Sequence, residues 1–311
     1  MIDPINLIID TDIGSEMTDA AALTLAAISP EIEILGVTSV THDAVFRASV
    51  AKKILKLLGK ESIPVAAGIG KGYEHTWEKD LVFPEGYEPL GLDQRPAWKL
   101  ITNLANQNKE NVCLVGIGTT SNIAVALEKD PDLPRKISRL VLMGGMIKPP
   151  VVDGKIIPMG FEYNFCNDSA SIEKLIKAGF RLTIVPGDLT FQQDDPWTEG
   201  ELKELADIKN PVIELLVKLK DHSLIAMKES MERAGLPLDF AKPWINDELL
   251  MAYLIKPELF ETKNVFIKWE LPDKYPRLII SDTGYPIKIV NKTNFKATRG
   301  FILERFKNMA L

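Results

Sequence analysis

INLIIDTDIGSEMTDAAALTLAAISP, residues 5–30, sets a short apolar run against a crowd of acidic residues and then an alanine-rich segment. The run 7–10 is apolar on both faces, as a parallel strand sandwiched between helices must be. It ends in Asp10-Thr11-Asp12, turns at Gly14, and enters a helix by Asp19. Asp10, Asp12 and Asp19, with Glu16 as a fourth, therefore crowd the carboxyl end of a buried strand. Carboxylates packed together there repel one another unless a cation or shared protons compensate. Taken one at a time they have simpler readings: Asp12 forms a turn, and Asp19 sits at a helix start where the dipole favours a negative charge. Phosphoryl-handling α/β enzymes also open with DxD, so this stretch alone leaves a magnesium phosphohydrolase open.

Outward from this stretch the pattern repeats. Runs rich in Val, Ile and Leu at 32–40, 63–66, 112–116, 139–143 and 182–186 alternate with segments of helical spacing at 44–58, 97–108, 122–129 and 169–178. Such alternation predicts right-handed βαβ units and an α/β fold: an open, mostly parallel twisted sheet flanked by helices. Ligands in such sheets bind outside the carboxyl ends of the strands. Residues 71–96, with little periodicity, read as a lid or binding loop. Residues 198–235 read as mostly helical. Short strands at 264–270, 277–280 and 287–290 and a last helix at 295–309 follow. With no repeat and no convincing linker, residues 1–311 read as a single domain.

Bulk properties exclude several classes. At 46% hydrophobic and 26% charged residues the chain is an ordinary globular protein. A net charge of −6 argues against a nucleic acid or an anionic membrane as the main partner. No apolar run approaches the ~18 residues of a membrane span, and the start lacks the pattern of a signal peptide. Two cysteines, Cys113 in an apolar run and Cys166 after an acidic cluster, suit a reducing, cytoplasmic setting and offer no zinc spacing.

Further motifs fall at the other strand ends. GIGTTSN places Ser121-Asn122 at a helix start, VLMGG places Met143 at a strand end, FEYNFCND supplies Glu162, Asn164 and Asp168, and WINDELL supplies Asn246-Asp247. In this order the series resembles the nucleoside hydrolase family of inosine- and uridine-preferring, calcium-dependent N-ribohydrolases, from about Asn6 to the C-terminus. The resemblance implies a small-molecule ribonucleoside substrate, a Ca2+ cofactor, a role in purine or pyrimidine salvage, and a homodimer or homotetramer. It makes Asp12 metal ligand and general base, and Asp19, Asp247 and the carbonyl of Ser121 the remaining protein ligands. Asp10 becomes a supporting carboxylate. Glu162 and Asn164 would grip ribose, with Met143 at the sugar's edge and Asp43 beside the ribose or behind the metal.

Three departures bear on catalysis. The acidic turn is two residues longer than the family's common form and carries Thr18 where a second aspartate is usual. Thr18 can bind a substrate hydroxyl but adds no charge, and Glu16 is the candidate to compensate. Asn246 occupies the catalytic position of a histidine associated with protonating the leaving base, and an amide cannot deliver a proton. His75 and His222 are the candidates to replace it. Residues 149–161 are longer than the family pattern, and no asparagine there can be assigned to the 5′-hydroxyl. These departures leave open a pyrimidine-preferring enzyme, an altered ribosyl substrate, or a nucleoside-binding relative with little turnover. Tyr73, His75, Trp77, Phe161 and Trp197 are candidates to stack on a base.

Overall fold

Leu7, Ile8 and Ile9 are fully buried, and successive residues serve opposite sides of one sheet: Leu7 and Ile9 join one apolar cluster, Ile8 the other. That is the double-sided burial their sequence requires. The computed structural model describes residues 3–70, 82–83, 86, 89, 91–149, 151–152, 154–156, 162–192, 194–234, 237–271 and 276–309. Most of the expected lid, with Tyr73, His75 and Trp77, lies outside them, as does Phe161.

Strands β1 (Ile5–Thr11), β2 (Ile32–Ser39), β3 (Val65–Ala67), β4 (Val112–Gly116) and β5 (Arg139–Met143) alternate with helices α1 (Met17–Ile28), α2 (Ala44–Leu57), α3 (Ala97–Gln107) and α4 (Ser121–Lys129). After β5 come an exposed hairpin, β6 (Val151–Val152) and β7 (Lys155–Ile156), then α5 (Ser169–Lys177) and β8 (Leu182–Val185). Helices α6 (Glu199–Ala206), α7 (Pro211–Ala234) and α8 (Asp247–Ile255) lead to β9 (Phe260–Glu270), β10 (Arg277–Ser281), β11 (Tyr285–Thr293) and α9 (Phe295–Lys307).

The main sheet has nine strands in the order β10-β9-β11-β8-β5-β4-β1-β2-β3. From β3 to β11 neighbouring strands are parallel; β9 runs antiparallel to both β10 and β11. This is the open, mostly parallel sheet flanked by helices that the sequence predicts, with the late strands extending it at one edge. Strand β1 is central, and the chain leaves it toward β2 on one side and reaches β4 on the other. Its carboxyl end is thus a topological switch point, where ligands settle in such sheets. Helix α1 is buried nearly all round, Ala20, Ala21, Ala22 and Ala26 among the fully buried residues, because it lies between the sheet and α8. Small side chains let these layers approach. Among the described residues no helix is long and apolar enough to cross a membrane.

Candidate active site

The end of β1 is built by side chains that arrive from far along the chain. Asp10 is buried, and its Oδ1 accepts from Thr38 Oγ1 at 2.6 Å and Asn122 Nδ2 at 2.8 Å. Asn122 also donates to the Ser39 carbonyl at 2.8 Å and accepts from Ile69 N at 2.9 Å, so it clamps β1, β2 and the segment after β3. It is not the helix cap that its position suggests. The clamp needs Gly68, where a Cβ would stand 2.3 Å from the Asn122 amide. Burial, opposed by these two bonds and reinforced by the charge of Asp12, pushes Asp10 up to about 7.

Asp12, just beyond the strand, keeps partial exposure toward the crevice. Its carboxyl is bonded to that of Asp19, and burial raises its affinity for protons. Asp19 is buried, and Thr11 Oγ1 donates to its Oδ1 at 2.5 Å. Burial and then Asp12 hold Asp19 well above the usual carboxylate range. Asp247, the first residue of α8, is held up in the same way by burial and then by Asp19 and Asp12. Its Oδ1 is buried with no hydrogen-bond partner. Thr18, expected to bind substrate, hydrogen-bonds the Asp247 carboxyl. Glu16 does join the group: burial and the charge of Asp12 push it to about 7.

Among the described residues one cation stands against this crowd. Arg47, buried on α2, donates to the carbonyls of Asp12 and of Ile13 (3.0 Å) and to Ser15 Oγ at 2.9 Å, gripping the acidic turn from behind. Its charge lowers the proton affinity of Asp12, Glu16 and Asp19. Sequence reading missed Arg47, whose only signal was a charged residue among the apolar positions of α2.

The turn after β4 abuts Asp12: a Cβ on Gly118 would lie 2.8 Å from Asp12 N. Three residues on, Ser121, the first residue of α4, donates from its Oγ to Asp168 Oδ2 at 2.6 Å, so its hydroxyl is engaged. Across the crevice, Asn164 Nδ2 donates to the carbonyls of Ile117 and Met143, each at 3.1 Å, pinning the Glu162 turn to the ends of β4 and β5. Met143 is buried there. Glu162 is buried and accepts from the backbone N–H of Asn164 (2.8 Å) and Phe165 (3.0 Å). Burial outweighs those bonds and pushes it to about 7. Asp43 caps α2, accepting from Phe46 N at 2.9 Å.

Asn246 and Asp247 start α8 without a side-chain cap, and Asn246 Oδ1 is buried and unpartnered. Trp197 is buried with its indole N–H donating to Glu248 at 3.3 Å, so it packs the wall behind α8. Cys113 is buried in β4, and burial followed by Glu162 pushes Cys166 up to about 12, so neither thiol is primed as a nucleophile.

The carboxyl set suits a hard cation. All its donors are oxygen, and an unpartnered buried Oδ1 on Asp247 faces a network of like charges. Among the described residues no three His, Cys, Asp or Glu side chains already stand as a formed metal cage. The structure thus supplies donors rather than a closed coordination sphere.

A family model for the inosine-uridine preferring nucleoside hydrolases matches residues 7–307. The pyrimidine-specific ribonucleoside hydrolase RihA of Enterobacter sp. (strain 638) is 30% identical over 287 residues, 86% of this chain and 85% of that protein. Among solved structures, a plant nucleoside hydrolase, PpNRh1, superposes with a TM-score of 0.81 at 17% identity, covering 98% of this chain and 99% of its own. A purine-preferring ribonucleoside hydrolase from Gardnerella vaginalis gives 0.79 at 20% identity over 98% and 99% of the two chains. At such identities the two structures speak for the fold.

Proposed function

The chain belongs to the inosine-uridine preferring nucleoside hydrolase family, and from that premise we propose that it hydrolyses the N-glycosidic bond of ribonucleosides with a calcium ion and Asp12 as general base. The family's members are N-glycosyl hydrolases, and this chain is one by class. The observation that carries the finer reading is the meeting of Asp12, Asp19 and Asp247 from two distant parts of the chain: burial raises the proton affinity of all three, Asp12 raises that of Asp19, and both raise that of Asp247.

Asp12, Asp19, Asp247 and the Ser121 carbonyl would hold the ion. When bound, calcium there would orient and acidify a water and engage neighbouring ribose hydroxyls. The protein's own groups do the rest. Asp12, the carboxyl that reaches the crevice, takes the proton of the attacking water. Asp10, fixed by Thr38 and Asn122, supports the floor beneath it. Glu162 and Asn164 hold the sugar from the far side, with Met143 at its edge and Asp43 beside the ribose. Negative charge on Asp12 and Asp19 stabilises the cationic character that develops at the sugar as the base departs. No covalent intermediate is needed.

Incubation with uridine, cytidine, inosine and adenosine, with calcium or with EDTA, tests this through free ribose. Ribose release that falls at least about 10-fold on chelation is the expected result. Failure to release ribose from all four in calcium would overturn it. The pyrimidine-specific name of the bacterial relative makes uridine and cytidine the first substrates to try. A second reading, a nucleoside-binding protein with little turnover, draws support from Thr18 and Asn246; saturable binding without ribose release would establish it.

A further inference from the structure

Residue 246 leaves the reaction without its proton donor, because an amide can offer a hydrogen bond but no proton. His75 lies outside the described residues, and among those described a histidine stands beside the sugar-side turn. His42 lies at the carboxyl end of β2, one residue before Asp43, and its Nε2 is 2.9 Å from the hydroxyl of Tyr163. Tyr163 stands between Glu162 and Asn164 in the turn pinned to β4 and β5.

Three observations give this contact a function. First, it links the two sides of the site: β2 and β5 are separated in the sheet by β1 and β4, so the pair joins the segments after strands about 14 Å apart, with β1 and β4, which lead to Asp12 and Ser121, between them. Second, the backbone holds the imidazole there at a cost. Thr41 and His42 take consecutive left-handed conformations, φ 67° and 42°, which side-chain-bearing residues adopt only where the surrounding structure enforces them. Thr41 N bonded to the Ile69 carbonyl at 2.8 Å and the Asp43 cap on α2 hold the segment in that shape. Third, burial falls from floor to rim. Glu162 and Asn164 are 3% and 7% exposed, whereas Tyr163 is 42% exposed. A nucleoside whose sugar is held by the buried pair would carry its base toward the exposed rim, the side on which Tyr163 lies.

We infer that Tyr163, oriented by His42, is the group that delivers a proton to the departing base. The inference rests on the nucleosidase reading above. Burial and the nearby Arg47 lower the proton affinity of His42, which favours the neutral ring. With the ring proton on Nε2, His42 donates to the phenol oxygen, and in the inferred step the phenol O–H is the donor to the base. As the C1′–N bond breaks, its electron pair passes to the base and the Tyr163 proton goes to that base. Water adds its hydroxyl to C1′ and gives its other proton to Asp12. Tyr163 then regains a proton from solvent while Asp12 releases one, so the sum is nucleoside plus water giving base plus ribose. A phenol, with an ordinary pKa of about 10, is an acid matched to a weakly acidic ring nitrogen rather than to a strongly activated leaving group.

The experiment compares a nucleoside with p-nitrophenyl riboside, whose leaving group departs as a stable anion and needs no proton. In Tyr163→Phe, kcat on uridine or inosine is expected to fall about 10²–10³-fold with KM little changed. The loss on p-nitrophenyl riboside should be at least about 10-fold smaller. His42→Asn, an exchange that left-handed backbone tolerates, should show the same split at about 10-fold on the nucleoside. Both variants are first checked for wild-type melting temperature. An equal loss on both substrates, or no loss on the nucleoside, overturns the inference while leaving the nucleosidase reading intact. Wild-type protein that cleaves neither substrate overturns both.

Discussion

Glu162 and Asp19 are both buried carboxyl groups at strand carboxyl ends, and the chain treats them differently. Glu162 accepts backbone N–H groups of its own turn, and among the described residues no second carboxyl bears on it. Its charge, once formed, has donors waiting. Asp19 has a threonine hydroxyl on one side and carboxyls on the others, with Arg47 reaching the group only from behind. Buried charges are tolerable when paired and costly when they face like charges. The sugar-side pole is therefore completed by the protein, while the β1 pole is completed only by added protons or an added cation.

The sharpest way to break this comparison is to remove one carboxyl from each pole. Asp12→Asn should lower kcat about 10³-fold or more, the range for loss of a general base, while the fold is kept because a repulsion is relieved. Glu162→Gln removes an acceptor that backbone N–H groups depend on, so its larger effect should be on KM, about 10-fold, with a fall in melting temperature. Steady-state kinetics and thermal melts of the two variants decide. Equal kcat losses with equal destabilisation would mean that the two poles do not differ.

Next in size is the pH dependence of the ion-free protein. Asp10, Glu16 and Glu162 have native values of about 7, above their unfolded values of 3.8, 4.5 and 4.5. Between roughly pH 4 and 7 the native state therefore binds more protons than the unfolded chain, and stability falls as pH rises through that window. A thermal melt in EDTA should show a drop of at least about 5 °C from pH 5 to pH 8. Calcium at pH 8 should restore the part that comes from the β1 pole and leave the part that comes from Glu162. In Glu162→Gln, calcium should then restore nearly all of it. A flat profile in EDTA would show that these groups keep their ordinary values.

The two poles also differ in how far the sequence disclosed them. Strands β4 and β5 end where their Val, Ile and Leu runs end, because parallel strands buried on both sides leave no ambiguity of face. Asp12 and Asp19 could be singled out because they crowd a strand end and the helix start after it, whereas Asp247 joined them only through the resemblance of the motif series to a known family. What stayed hidden were contacts made by residues with ordinary local roles. Arg47 looks like any surface arginine until its reach back to residues 12–15 is seen. Asn122 looks like a helix cap, yet its amide joins elements 53, 83 and 112 residues away. Thr18 also hydrogen-bonds Asp247, a partner more than two hundred positions later that no local pattern pointed to. His42 needed the left-handed backbone before it, which no local pattern announced.

The smallest predicted effect bears on Thr18 itself. Its hydroxyl bond to Asp247 is one of the few interactions that favour the charged form of that carboxyl, so threonine moderates the β1 pole without charging it. Thr18→Asp replaces a donor to Asp247 with another negative group among Asp12, Asp19 and Asp247. Without a cation the repulsion should lower the melting temperature at pH 8 by about 2–4 °C, the shift expected for roughly 1 kcal/mol in a chain of this class. With a cation the added charge should tighten calcium binding about 3–10-fold, since cation affinity rises with the number of charged oxygen ligands. Calorimetric titration with calcium, beside melts in EDTA, reads both signs at once. Opposite signs are what an unfinished cation pole requires, whereas weaker calcium binding in the variant would mean that Asp247 depends on the threonine hydroxyl more than the ion depends on charge.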